Sequence, residues 1–297
     1  MKQRWEMILG ARKRHAEKRQ RRLLFEQERQ QLTQDILHSD RQGITAESYA
    51  AHPVIVSLTS FGKRIHDVGL TIASLMRQTM PANRLILWLE DGLIDSPLPE
   101  DLVKLQMRGL EIRYCKDIRS YKKIIPTLQA FPDAAIITVD DDVIYDYEML
   151  EGLIKAHQSS PHTIFCHRMH RMVKSSDGRV MPYHRWQKDI QDLQASPLNF
   201  PVGIGGVLYP PNSLDEEVLN EQVFTTISPF ADDIWLKAMA LRKGTVSRKA
   251  TYQPDKCLLN GSVQDVGLSK INTHGKNLND IQLRAVFEKY NLYDKLR

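Results

Sequence analysis

Residues 134–142 read AAIITVDDD, a short apolar run that ends in three consecutive carboxylates, Asp140, Asp141 and Asp142. A run this short and this rich in β-branched residues predicts a strand buried on both faces, as in the interior of a parallel sheet. Carboxylates a few ångströms apart raise one another's pKa unless a cation neutralises them. Oxygen-only donors favour Mg²⁺ or Mn²⁺ over zinc, and such ions usually take one or two carboxylates and complete their shell with phosphates and water. If the chain stays extended, Asp140 and Asp142 point one way and Asp141 the other. A solvated acidic turn is the plain alternative.

Working outward, Val54 to Leu58, Arg84 to Leu89 and Glu111 to Tyr114 read as further strands. Arg64 to Gln78, Leu102 to Met107 and Tyr121 to Phe131 read as helices between them. Alternation of this kind predicts an α/β fold whose parallel sheet is covered on both faces and binds ligands at the carboxyl ends of its strands. Beyond Asp142 the expected elements are helices over Tyr147 to His157, Ala231 to Leu241 and Asn279 to Tyr290. Strands are expected at Thr163 to His167 and at the end of Val202 to Tyr209, with a hairpin turn in Lys174 to Val180.

The chain has 297 residues, 42% apolar and 26% charged, which excludes disorder as its main state and suits one large domain or two small ones. Its formal net charge of +5 is unevenly placed, because residues 1–29 hold ten basic and four acidic side chains. That stretch carries +6 and the remainder −1, so a basic pI is no nucleic-acid signature for the body of the protein. No nucleic acid is expected over the acidic strand end. Residues 4–38 lack proline and predict one long helix, with Leu9, Ala16, Leu23 and Leu37 on a weak heptad row interrupted by Gln30. Three readings stay open for it: a solvated helix, a coiled-coil or docking helix, and a basic surface for anionic lipid. The expected organisation is a helical extension over 1–38, a linker over 39–52 and the main domain over 53–297.

No apolar run approaches the roughly 18 residues of a membrane helix, and Met1 to Gly10 lacks a secretory core. The expected location is cytoplasmic, with the inner face of the membrane open to peripheral contact. Cys115, Cys166 and Cys257 are widely spaced and contain no C-x-x-C, so buried, inert thiols are expected.

A second acidic pair, Asp232 and Asp233, opens the Ala231 to Leu241 helix. One of the two could cap the helix while the other faces a pocket as a general base or sugar-hydroxyl contact. Arg119-Ser120-Tyr121-Lys122-Lys123 supplies basic groups suited to a diphosphate. The segment from His167 to Trp186, with Arg168, His170, Arg171, Tyr183 and His184, offers rings that stack on a sugar and arginines that pair an anion.

These motifs in this order, VSLTSFGKRI (56–65), SLMRQTMPANRLILWLE (74–90), RSYKKIIPTL (119–128), TVDDDVIYD (138–146), FPVGIGGVLYPP (200–211) and ADDIW (231–235), resemble bacterial glycosyltransferases of the GT-A fold. The resemblance implies a GT-A-like fold and metal-dependent transfer of a hexosyl group from a nucleotide-diphosphate donor to a hydroxyl of a glycan or lipid-linked acceptor. It further implies a place in surface polysaccharide or lipopolysaccharide synthesis. Carried over by position, Thr59, Ser60 and Arg64 would lie against the nucleotide, and Glu90 or Asp91 would meet base or ribose. Lys122 or Lys123 would approach the pyrophosphate. Asp140 and Asp142 would form the D-x-D element, Asp142 as direct ligand of Mn²⁺ or Mg²⁺ and Asp140 nearer ribose and sugar, with Asp141 among the donor contacts. Asp233 or Asp232 would deprotonate the acceptor, and His274 would be a third metal ligand. The rival readings are a metal-dependent phosphoesterase acting on nucleotide or sugar phosphates, and a non-catalytic protein that binds nucleic acid or a partner through its basic helix.

Overall fold

The structure is a computed structural model that describes residues 2–251, 258–259 and 277–296. After the long helix α1 (Lys2–His38), strand and helix alternate through β1 (Val54–Thr59), α2 (Val68–Met76), β2 (Arg84–Glu90), α3 (Glu100–Gln106), β3 (Leu110–Cys115), α4 (Ile125–Ala130) and β4 (Ala135–Thr138). The second half holds β5 (Val143–Ile144), α5 (Met149–Ser159), β6 (Ile164–Cys166), β7 (Met169–Arg171), β8 (Asn199–Pro201) and β9 (Val207–Tyr209). It closes with α6 (Glu221–Ile227), α7 (Asp232–Lys243), β10 (Ser247–Lys249), β11 (Leu258–Leu259) and α8 (Leu278–Lys289).

Seven strands form a mostly parallel central sheet in the order β10-β6-β9-β4-β1-β2-β3, flanked by helices. β1 pairs in parallel with both β2 and β4, and β9 runs antiparallel between β4 and β6. The chain thus leaves β1 toward β2 and β3, then returns to lay β4 on the other side. At such a reversal the loops after neighbouring strands diverge and leave a crevice at their carboxyl ends. The crevice between β1 and β4 is where Asp140 to Asp142 emerge.

The apolar character of β1 and β4 follows from two-sided burial. Val54, Val56 and Leu58 join a core under α2, α3 and α5, while Ile55 packs on the opposite face with Ile86, Trp88 and Ile136. A separate cluster built on α7, α8, β6 and β9 fills the other half of the molecule.

Two expected helices are split. Over 64–78 a 3₁₀ turn at Gly62–His66 precedes α2, and over 121–131 a 3₁₀ turn at Arg119–Lys123 precedes α4. Arg119 takes a left-handed φ of 58°, and Pro126 fits the first turn of α4, where its missing N–H has no intrahelical partner to lose. These turns swing Arg64 and Lys123 toward carboxylates in the crevice, and charge pairing outweighs helical periodicity there.

The heptad row expected in α1 is not the face that docks. Leu23 and Leu37 are exposed, whereas Leu32 and Ile36 are buried and Leu24 and Phe25 pack against the same core. Each buried aliphatic side chain contributes ~2 kcal/mol, and Glu28 with Arg77 (3.1 Å) and Asp35 with Arg108 (2.9 Å) flank the contact. The linker is also pinned: Gly43 N–H donates to the Arg108 carbonyl (2.8 Å). A Cβ at Gly43 would come within 2.2 Å of Met76 Cγ, so this close approach requires glycine. Cys166 is buried and Cys115 half-buried, with burial pushing the Cys115 thiol up to about 11; Cys257 lies outside the described residues. Among the described residues no helix is long and apolar enough to cross a membrane.

Candidate active site

A cavity of about 670 Å³ opens at the carboxyl ends of β1 and β4, lined by Asp140, Asp141 and Asp142 on one side and Asp232 and Asp233 on the other. Its size suits a small-molecule substrate. The two acidic groups, about 90 residues apart in sequence, meet around one ammonium. Lys123 Nζ lies 3.1 Å from Asp140 Oδ1 and 2.9 Å from Asp232 Oδ2. Burial works against the Lys123 charge, yet Asp140, Asp232 and Asp233 together hold it well above the ordinary lysine range.

Asp233 takes a hydrogen bond from Gly203 N–H at 3.3 Å. Burial, and then the Asp232 charge, lift its carboxyl to about 7 against the pull of Lys123; Asp140 lifts it further and the Gly203 N–H lowers it. A carboxylate poised near neutrality can accept a proton from a hydroxyl and hold it. Neither aspartate caps α7, since Ala231 occupies the N-cap position without a side-chain cap bond. The acidic pair stands in the first turn, where the helix dipole favours negative charge, and faces the cavity.

Gly203 marks the centre of this constellation. A Cβ there would stand 3.4 Å from Asp233 Oδ1, 3.4 Å from Lys123 Nζ and 3.6 Å from Asp140 Oδ1. These are ordinary contact distances, so Gly203→Ala should fold with a melting temperature within a few degrees of the parent. The methyl would displace water or substrate from the charged groups, and ligand-dependent turnover should fall about tenfold or more. Unchanged turnover would remove this point from the reaction centre.

Arg64 organises the other acidic edge. Its guanidinium pairs with both Asp141 oxygens, Nε at 3.0 Å and Nη2 in a shorter contact, and Nη2 also reaches Asp142 Oδ2 at 3.1 Å. Ser60 Oγ donates to Asp141 Oδ2 at 2.6 Å, and Thr71 Oγ1 donates to the Asp141 carbonyl. The expected alternation is therefore replaced by a turn. Strand β4 stops at Thr138, so Asp141 and Asp142 share Arg64 while Asp140 faces Lys123. Asp141 is saturated by structural partners, whereas Asp140 and Asp142 keep oxygens for a ligand. Burial pushes the Asp142 carboxyl up, Asp140 adds to the rise, Arg64 opposes it and Asp141 adds again. That excess negative charge is what a hard divalent cation would relieve.

Among the residues singled out by sequence, Thr59, Arg64, Lys122, Lys123, Asp140, Asp141, Asp142, Asp232 and Asp233 line the cavity. Ser60 is buried behind it on Asp141. Glu90 ends β2 and Asp91 follows it, both outside the lining, and Lys122 is tied to Asp117 at 2.5 Å. His274 lies outside the described residues, and among those described no three His, Cys, Asp or Glu side chains form a metal cluster. In the His167 to Trp186 segment, Arg168, His170 and Tyr183 line the cavity. His167 instead bonds the Met149 carbonyl, Arg171 binds Asn199 and Asp192, and Trp186 is buried with Nε1 on the Met181 carbonyl. Sequence reading missed Tyr145, whose hydroxyl accepts from Asp140 N–H at 2.9 Å, and Phe61, Phe230 and Asn279 in the lining. An aromatic three residues beyond the acidic run was the only signal available for the first.

A scan against protein-family models finds no match, and a search of curated proteins finds none. Solved structures similar to this chain include an inositol-1-phosphate CTP transferase from T. maritima, 13% identical over 76% of this chain and 98% of that one, TM-score 0.40. A CMP:2-keto-3-deoxy-manno-octonic acid synthetase complexed with CTP is 9% identical over 70% of this chain and 91% of that one, TM-score 0.37. The mannosyltransferase PcManGT from Pyrobaculum calidifontis, in complex with GDP-Man and Mn²⁺, is 15% identical over 83% of this chain and 66% of that one, TM-score 0.47.

Proposed function

We propose that this protein is a metal-dependent glycosyltransferase of GT-A-like fold that moves a hexosyl group from a nucleotide-diphosphate donor to a hydroxyl of a glycan or lipid-linked acceptor. The observation that carries this reading is the meeting of Asp140 and the Asp232–Asp233 pair around Lys123, in a crevice where the sheet order reverses. In this reading Asp140 and Asp142 hold Mn²⁺ or Mg²⁺. When bound, the ion neutralises the diphosphate charge that grows as the glycosidic bond breaks. Lys123 turns from Asp140 to donate to the same phosphates, a stabilisation that is greatest in the transition state. Asp233 takes the proton of the acceptor hydroxyl. The acceptor oxygen bonds to the anomeric carbon as the bond to the phosphate oxygen breaks, and the electron pair leaves on the nucleoside diphosphate.

Residues 53–297 form the transferase domain in this reading, joined through 39–52 to the basic extension 1–38. We place that extension, with its net +6 over residues 1–29, against the anionic inner face of a membrane bearing the lipid-linked acceptor, where each basic residue near the surface contributes about 1 kcal/mol. The pathway is surface polysaccharide or lipopolysaccharide assembly.

The test is a thermal-shift screen of nucleoside diphosphates and their sugars with and without Mn²⁺. A ligand at 100 times its Kd stabilises the native state by about 2.7 kcal/mol, so one donor should raise the melting temperature only when metal is present. Asp142→Ala should keep the fold and lose that metal-dependent shift together with transfer. A shift that persists unchanged in Asp142→Ala sinks the metal assignment.

A further inference from the structure

The cavity lining also holds a cation, Arg168, that transfer chemistry alone does not require. Arg168 follows β6, and its backbone is fixed: its carbonyl accepts from Val202 N–H at 3.0 Å and from Cys166 Sγ at 3.1 Å. A Cβ on Gly205 would lie 3.3 Å from Arg168 N. The side chain, which lines the cavity, has a buried Nε with no hydrogen-bond partner and no ion pair among the described residues. Leaving a guanidinium N–H dry and unpaired costs about 1–3 kcal/mol.

A second cation, Lys188, is exposed just outside the lining. Lys188 Nζ lies 3.0 Å above the ring of Tyr183, which itself lines the cavity. Burial and then the Arg168 charge lower the Lys188 ammonium to about 8, with Asp280 opposing. Of the nearby carboxylates, Asp280 accepts from Tyr183 N–H at 2.6 Å and Asp189 pairs with Lys249 at 3.7 Å. His170 adds no charge: its Nδ1 accepts from Asp189 N–H, and burial with Lys188 holds it near 4. Tyr183, Arg168 and the proposed base Asp233 line the same cavity. Burial raises its phenol, Asp233 raises it further and Arg168 lowers it, so both charges act on the same ring.

We propose that the acceptor is an anionic sugar, which sets its carboxylate or phosphate on Arg168 and Lys188 and turns its hydroxyl to Asp233. The proposal rests on the transferase reading and names the substrate class of that site. Its physical warrant is a guanidinium that lines the cavity with no ion pair among the described residues, with an ammonium over the neighbouring Tyr183 ring, where an anion gains charge-assisted hydrogen bonds that a neutral sugar cannot make.

The test is calorimetric titration of the full chain, saturated with Mn²⁺ and the nucleoside diphosphate that gives the largest thermal shift, with glucose, glucuronate and glucose 1-phosphate. Saturation closes the donor site to the phosphate probe. One of the two anions should bind about tenfold or more tighter than glucose, and which one wins identifies carboxylate or phosphate as the source. Arg168→Gln and the more exposed Lys188→Gln should each remove about tenfold of that preference, and Arg168→Lys should retain part of it. Equal binding of glucose, or anion affinity within about twofold of the parent in both Gln variants, overturns the proposal. A chain that binds metal and nucleoside diphosphate yet shows no charge preference overturns the anionic acceptor alone. A chain that binds no nucleoside diphosphate overturns the transferase reading, and the Arg168→Gln titration on the free protein then still decides whether Arg168 takes an anion.

Discussion

Asp233→Asn is expected to lower turnover ~10²- to 10⁴-fold and, in metal-free buffer, to raise the melting temperature at pH 8. The first effect follows from removing the group that accepts the hydroxyl proton. The second follows from linkage. Asp233 has a folded-state pKa of about 7, above the ordinary carboxylate value of the unfolded chain, so the folded protein holds this proton more tightly. Stability is therefore lost as pH rises from the unfolded value through the folded one, and the full penalty is present above pH 7. Because the carboxylate stands at a cavity wall and not in a closed core, we set the penalty at about 2 kcal/mol, or ~4–8 °C in melting temperature. Asparagine keeps the shape and has no charge to bury. The gain should vanish by about pH 3, where both states of the parent hold most of the proton. A variant that melts lower than the parent at pH 8, or that keeps full turnover, contradicts the assignment.

Lys123→Met should have the opposite sign and a larger size. It leaves Asp140, Asp232 and Asp233 around a buried space with no cation among them. Removing one member of a buried charge cluster costs about 3–5 kcal/mol, which for a chain of this length lowers the melting temperature by ~10 °C. The cost comes from the charges left behind. Adding Asp232→Asn to Lys123→Met should therefore recover a substantial part of the loss, measured as a shift in the urea midpoint at constant slope. Independent, additive effects of the two substitutions would show that Lys123 does not neutralise this pair.

Both predictions depend on contacts that no local pattern announces. The sequence placed an acidic strand end at Asp140 to Asp142 and an acidic helix start at Asp232 and Asp233, because two-sided burial writes a continuous apolar run and a helix N-terminus tolerates carboxylates. It could not say that one lysine serves both. Lys123 sits in a stretch whose periodicity reads as helix, and only the 3₁₀ turn before α4 aims it into the crevice. Arg64 is the same case on the other edge: by sequence it opens a helix, and in the fold it closes on Asp141 and Asp142. The long helix was legible from composition, yet its docking face was misread, because Leu32 and Ile36 are chosen by the groove between α2 and α3 and not by heptad spacing.

The sequence alone therefore determined the kind of fold and the position of the acidic strand end, since burial on both faces and the helix dipole act within a few residues of where they are written. Only the tertiary structure decided which charges meet. Coulomb and hydrogen-bond energies depend on distance in space, and the reversal of strand order at β1 and β4 brings residues separated by about 90 positions around a single ammonium. It also left Arg168 in the cavity lining without an ion pair among the described residues, a feature that composition and spacing do not record.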